Sequence, residues 1–296
     1  MSDDIRDAAI RLYDRFTHDG MDRRDFMARL TRLAGSAAAA NALLLGIAAS
    51  PAAAAIVPPD DPRLELRDLE WEISPGRKMK GYGAAPVDAD PGLPLVLVIH
   101  ENRGLNDHIR DVARRVALAG LSAVAPDFLS PLGGTPADED KAREMIGTLD
   151  LAAATGDGVA MVKWLSSPAG GSRKVGAVGF CWGGAMVNRL AVASGPELRA
   201  AVPFYGTAPD PAEAVKVETP MLIHLAGLDE RVNKTALPFA VALEAAGKDV
   251  TTHVYPNVNH AFHNDTSAER YDKAAADLAW RRTLDFFARH LGTTAG

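Results

Sequence analysis

The sequence predicts an α/β protein with a mostly parallel central sheet and helices on both faces. Three observations carry this. Short strand-like runs alternate along most of the chain with helical stretches, the pattern that builds a sheet covered on both sides. Leu95-Val96-Leu97-Val98-Ile99 is an unbroken apolar run, as expected of a strand buried on both faces. Setting aside an unusual N-terminal segment leaves roughly 240 residues, the size of one α/β domain.

That segment comes first in the chain of 296 residues. Ile5, Ala8, Leu12, Tyr13 and Phe16 fall at helical spacing. Next come the paired arginines of Met21-Asp22-Arg23-Arg24-Asp25-Phe26-Met27, then a stretch from Leu33 to Pro59 with no charged residue. Ala34 to Ala55 holds 12 alanines in 22 positions and closes on Ser50-Pro51-Ala52-Ala53-Ala54-Ala55. Paired arginines before a weakly hydrophobic run that ends in small residues resemble a twin-arginine export signal, with cleavage expected after one of the last alanines. Residues 1–55 are therefore read as a signal segment engaging export machinery, 56–65 as a linker and 66–296 as the catalytic domain. A periplasmic or exported product follows. The alternatives are a retained membrane anchor, because the run is long enough to span, and an ordinary helix of the domain.

After the linker, Leu66 to Ile73 reads as an edge strand. Further strands are expected at Leu95 to Ile99, Leu121 to Ala125, Val175 to Val178, Ala200 to Phe204 and Met221 to Leu225, with a weaker one at Val250 to Tyr255. Helices are expected at Asp107 to Leu118, Ala153 to Leu165, Gly184 to Ala193, Thr235 to Ala246 and Ala268 to Leu291. A net charge of −6 offers no basic footprint for nucleic acid and no polybasic membrane patch. The single cysteine, Cys181, excludes an intramolecular disulfide and any multi-cysteine metal site. No His, Asp or Glu cluster shows metal-ligand spacing, so neither a metal nor a cofactor is expected.

Active sites in such sheets lie at the carboxyl ends of the strands. There, Gly179-Phe180-Cys181-Trp182-Gly183 is a Gly-x-Cys-x-Gly elbow, a sharp strand-to-helix turn that exposes a nucleophile. Alone, a lone cysteine is usually an inert core residue; here strand, glycines and helix all fall where the elbow requires them. The following helix stabilises a developing thiolate with its N-terminal partial positive charge. Asp229 follows the strand Met221 to Leu225, and His260 follows Val250 to Tyr255. Nucleophile, acid and histidine thus occur in α/β-hydrolase order. His260 would take the thiol proton, and Asp229 would fix its tautomer and stabilise the imidazolium. His100 could line the mouth, His263 could support the site or face solvent, and His224 and His253 read as structural. The Gly- and Pro-rich loop from Leu129 to Pro136 is expected to rim the pocket.

These motifs resemble the dienelactone hydrolase family of α/β-hydrolases, whose signature combines Gly-Phe-Cys-Trp-Gly-Gly, Gly-x-x-Asp and a late His followed closely by Phe. The resemblance spans about Leu66 to Leu291. It nominates Glu101, after the strand Leu95 to Ile99, as a fourth catalytic residue that holds the resting thiol and takes part in its activation. It also places the oxyanion hole at the backbone N–H groups of Trp182 and Asn102. Family members acting on dienelactone hold its carboxylate with two arginines; this chain has Pro126-Asp127-Phe128-Leu129-Ser130-Pro131 and Asn264 at those places. Dienelactone itself is therefore doubtful as substrate, and Arg103 is a candidate to supply positive charge from another loop. The expected activity is hydrolysis of small esters or lactones through an acyl-enzyme on Cys181, by a monomer, with a dimer as alternative. Acyl transfer and a catalytically silent binding protein are the competing readings.

Overall fold

A computed structural model describes residues 3–48, 55–74 and 76–292. Its eight strands are β1 (Leu64–Ser74), β2 (Arg77–Pro86), β3 (Leu95–Ile99), β4 (Ser122–Asp127), β5 (Val175–Phe180), β6 (Leu198–Phe204), β7 (Met221–Ala226) and β8 (Val250–Tyr255). They form one sheet in the order β1-β2-β4-β3-β5-β6-β7-β8. β1, β2 and β4 pair antiparallel, and every other neighbouring pair is parallel. The central strands β3 and β5 are buried along their whole length, which is why they read as continuous apolar runs rather than alternating ones. β2 escapes sequence reading because Lys78, Lys80, Gly81 and Gly83 dilute its pattern; it is held by pairing on both sides, to β1 and β4.

Among the helices of the catalytic domain, α4 (Asp107–Leu118), α6 (Leu151–Ser166), α7 (Trp182–Ala193) and α8 (Glu230–Ala245) fall close to their expected places. Each carries a side-chain N-cap except α7, which starts at the elbow itself. A short helix, α5 (Glu139–Gly147), was not read from its charged sequence. The last helix, α9 (Lys273–Phe287), begins later than expected, because the chain before it loops past the strand ends with His260.

The first 47 residues hold three helices, α1 (Asp3–His18), α2 (Arg23–Ala34) and α3 (Ala37–Ile47). They bury Ile10, Tyr13, Phe16, Phe26, Leu30, Leu43 and Ile47 in a cluster of their own, with Phe16 and Phe26 stacked at 4.4 Å. Asp22 caps α2 by accepting from Asp25 N–H at 2.9 Å. Arg23 and Arg24 stand exposed at that helix start. No single helix among the described residues is long and apolar enough to cross a membrane, and α2 and α3 meet at a bend of 108°. Of the last alanines, Ala52 to Ala55, after one of which cleavage is expected, Ala52 to Ala54 lie outside the described residues.

The three helices dock over the carboxyl ends of the strands, and carbonyls at the C-terminal ends of α1 and α3 make the junction. Ile47 C=O accepts from Ser267 Oγ at 2.6 Å and Arg270 Nε at 3.0 Å. Arg143 donates to Phe16 C=O at 3.2 Å with its guanidinium 4.3 Å from the Phe16 ring centre. Helix C-termini leave carbonyls without intrahelical partners and carry partial negative charge, so arginines suit them. Arg103 joins the same junction, donating to the Tyr13 hydroxyl at 2.6 Å and lying 3.5 Å from Glu139. Its guanidinium is thus an anchor for α1 rather than the free substrate-binding charge expected from sequence.

Candidate active site

Cys181 sits between β5 and α7 at φ 56° and ψ −111°, a conformation most side chains avoid. Two glycines allow the turn. A Cβ on Gly179 would lie 2.2 Å from Gly183 C=O, and one on Gly183 would lie 2.3 Å from Ile99 C=O. The elbow is fixed further by Cys181 N–H donating to Phe204 C=O at 3.0 Å and by Ala185 N–H donating to Cys181 C=O at 3.0 Å.

Asp229 and His260 meet at the same edge. His260 Nδ1 lies 2.5 Å from Asp229 Oδ2, and both residues are buried. The other carboxylate oxygen, Oδ1, accepts from Val232 N–H at 3.1 Å as the N-cap of α8. Burial disfavours charge on His260, yet the Asp229 carboxylate, the neighbouring Cys181 and the hydrogen bond to Asp229 outweigh it and raise its pKa to about 10. Burial likewise opposes charge on Asp229, but the His260 imidazolium and their hydrogen bond hold its pKa below the usual carboxylate value. With Nδ1 committed to Asp229, His260 Nε2 is left toward the thiol. It is buried and has no hydrogen-bond partner among the described residues.

The thiol's partner is instead His18, at the end of α1, with Nε2 3.1 Å from Cys181 Sγ. Sγ and one ring nitrogen from each of His18 and His260 all lie within 4.8 Å of one another. Two pockets open here: one of about 280 Å³ is lined by Thr17, His18, Asn102, Cys181, Trp182 and Tyr205 among others, and one of about 20 Å³ also touches Glu101 and His260. Asn102 and Trp182 therefore border the same pocket as the thiol. A larger cavity of about 590 Å³, lined by Leu69, Trp71 and Trp164, holds none of these residues, and chemistry rather than volume marks the site.

Glu101 is buried beside the thiol but makes no hydrogen bond with it among the described residues. Its Oε2 accepts from Asn264 Nδ2 at 2.7 Å and its Oε1 faces the Tyr205 hydroxyl at 3.5 Å. Tyr205 and Asn264 are site residues that sequence reasoning passed over. Tyr205 could have been found as the residue just after β6 on the active edge; Asn264 was noted only for the arginine it replaces. Burial pushes the Tyr205 phenol well above its ordinary pKa, with Glu101 adding to the effect, so it stays a donor.

Other expectations are revised. His100 is fully buried rather than at the mouth: Nδ1 donates to Glu101 C=O at 2.7 Å and Nε2 accepts from Phe128 N–H at 3.2 Å. His263 is buried against Phe180 at 5.1 Å. His224 is structural, between the Tyr255 hydroxyl and Thr283. The loop after β4 does not line either pocket at Cys181, because Asp127 folds it back, accepting from Leu129 N–H, Thr135 N–H and Thr135 Oγ1.

Residues 79–291 match the model of the dienelactone hydrolase family. The chain belongs to the dienelactone hydrolase family. A protein of Escherichia coli O157:H7 provisionally named a carboxymethylenebutenolidase is 32% identical over 260 residues, covering 83% of this chain and 94% of its own. A structure from Klebsiella pneumoniae, provisionally named a dienelactone hydrolase, superposes with a TM-score of 0.67 at 30% identity, covering 76% of this chain and 99% of that one. The dienelactone hydrolase of Anabaena variabilis shares the fold at 21% identity with a TM-score of 0.62, over 77% of this chain and 99% of its own. This dienelactone hydrolase family member is thus a hydrolase of the α/β-hydrolase fold. The family match begins at residue 79, so α1 to α3, and with them His18, lie outside it.

Proposed function

We propose that the chain hydrolyses small carboxylic esters or lactones through a thioester acyl-enzyme on Cys181. The observation that carries this is the Cys181 elbow facing a His260 whose Nδ1 is tied to Asp229 at 2.5 Å. Once the thiol is free to pair with it, His260 Nε2 takes the thiol proton, the raised His260 pKa of about 10 favouring the imidazolium–thiolate pair; Sγ then attacks the carbonyl carbon while Asp229 stabilises the imidazolium. The carbonyl oxygen gains negative charge, which the backbone N–H groups of Trp182 and Asn102 stabilise. Collapse expels an alkoxide that takes the proton from His260, leaving the thioester. Water then attacks with His260 as base, releasing the acid and restoring the thiol. Glu101, neighbour to both thiol and histidine in the smaller pocket, assists activation when the thiol turns.

Three arginines, Arg143, Arg189 and Arg231, border the larger pocket. With Arg143 held on Phe16 C=O, Arg189 and Arg231 favour a substrate that carries a carboxylate, although both arginine positions of the family pattern are filled by other residues.

Burst kinetics with aryl esters and lactones tests the reaction. Wild type is expected to release one equivalent of phenol rapidly and then turn over, whereas Cys181→Ala and His260→Ala release none. Full turnover by Cys181→Ala would sink the proposal.

The paired arginines and the alanine-rich run further support an exported protein. Arg24 stands exposed beside Arg23, whose guanidinium pairs with Asp140 at 2.7 Å. Sequencing the N-terminus of protein recovered from expressing cells checks this; an intact Met1 on cytoplasmic protein would refute it.

A further inference from the structure

The thiol of Cys181 has one proton to donate, and two imidazoles face it. The tautomer of each is set by what its Nδ1 touches. His260 Nδ1 lies on the Asp229 carboxylate. His18 Nδ1 lies 2.9 Å from Asp14 C=O, an oxygen that can only accept, so Nδ1 carries the hydrogen and Nε2 presents a lone pair. Thr17 Oγ1, also 2.9 Å from that Nδ1, donates its own hydrogen to Tyr13 C=O at 3.0 Å and is free to accept. At 3.1 Å from Sγ, His18 Nε2 is therefore the acceptor of the S–H hydrogen bond. His260 Nε2 goes without one.

We propose that the N-terminal three-helix cap is autoinhibitory: His18 holds the Cys181 proton away from His260, and turnover requires the end of α1 to withdraw from the nucleophile. Both the seat and its fastening are built. α1 ends at His18, and the residues around that end are held from the catalytic domain: Arg143 on Phe16 C=O, Arg103 on the Tyr13 hydroxyl, and Asn102 Nδ2 3.4 Å from Thr17 C=O. Asn102 is also a candidate oxyanion-hole residue, so the cap occupies the turn that would receive the carbonyl oxygen. His18 and Thr17 fill one side of the pocket a substrate would enter. The segment that resembles an export signal is the same one that closes the site, so its removal would also release the thiol.

This inference rests on Cys181 being the nucleophile, but the single cysteine lets the cap be read without turnover. Iodoacetamide labels one thiol per chain, and its rate is measured on the full-length protein at neutral pH. His18→Ala is expected to label about fivefold faster, one hydrogen bond's worth, with kcat/KM for a small aryl acetate rising in parallel. Tyr13→Phe keeps the ring in the cap cluster while deleting the bond to Arg103, and should also label faster with an unchanged circular dichroism spectrum. This second variant decides the matter if His18→Ala fails to fold. Unchanged labelling in the folded variants overturns the proposal, as does slower labelling with a lower kcat, which would make His18 an assisting base. If labelling responds as expected but Cys181→Ala still turns over ester, the proposed function fails while the cap contact stands.

Discussion

Asp229 divides one carboxylate between two tasks. Oδ2 holds His260 and Oδ1 caps α8, so the acid that orients the histidine is itself fixed by a helix start. That arrangement locks the imidazole without a further side chain, as preorganised catalysis requires. Arg231, two residues on, borders the pocket in front of Cys181, and its buried Nε has no hydrogen-bond partner among the described residues. A guanidinium with an unused donor beside an acyl site is suited to a substrate carboxylate. Arg231→Ala is expected to raise KM about tenfold for an ester bearing a free carboxylate, the loss of a charge-assisted hydrogen bond, and to leave KM for the matching neutral ester unchanged. Equal effects on both esters would remove Arg231 from recognition.

The elbow is the element on which the site depends, and its cost lies in backbone rather than in side chains. Cys181 adopts a positive φ because Gly179 and Gly183 let β5 and α7 approach so closely. Gly179→Ala would push a methyl into Gly183 C=O. A stability loss of about 2–3 kcal/mol is expected from that overpacking, with activity falling further because the thiol shifts. Thermal melting and esterase assays check both, and a folded, fully active variant would refute the account. This element was legible because glycine spacing and an apolar strand are local signals. The site of Asp229 was legible for the same reason, following the apolar strand β7. β2 was not, since its strand state comes from two partners rather than from its own residues. His18 was not legible either: a histidine ending an N-terminal helix carries no local mark that it will meet a cysteine 163 positions away.

Across the whole molecule, docking the cap and closing the sheet bury several histidines in neutral form. Burial is the leading cause that depresses His18, His100, His224 and His263. In the unfolded chain each titrates near the ordinary value of about 6.5. Below that pH the unfolded state binds protons that the folded state refuses, so folding stability falls as pH falls. His260 has the opposite sign. Its pKa is raised to about 10, so its contribution is complete below about pH 6.5 and fades as pH climbs toward 10. The two trends meet near neutrality. Calorimetric melting is therefore expected to give the highest Tm between about pH 6.5 and 7, with a decline on the acid side that begins above the range where carboxylates titrate. His18 ties this decline to the active site, because its protonation removes the acceptor for the Cys181 thiol and weakens the seat of α1. Full-length His18→Gln should then show a shallower loss of Tm between about pH 6.5 and 5 than wild type, by the share of one histidine. A wild-type Tm that stays level or rises over that interval would contradict the burial of these four rings in neutral form.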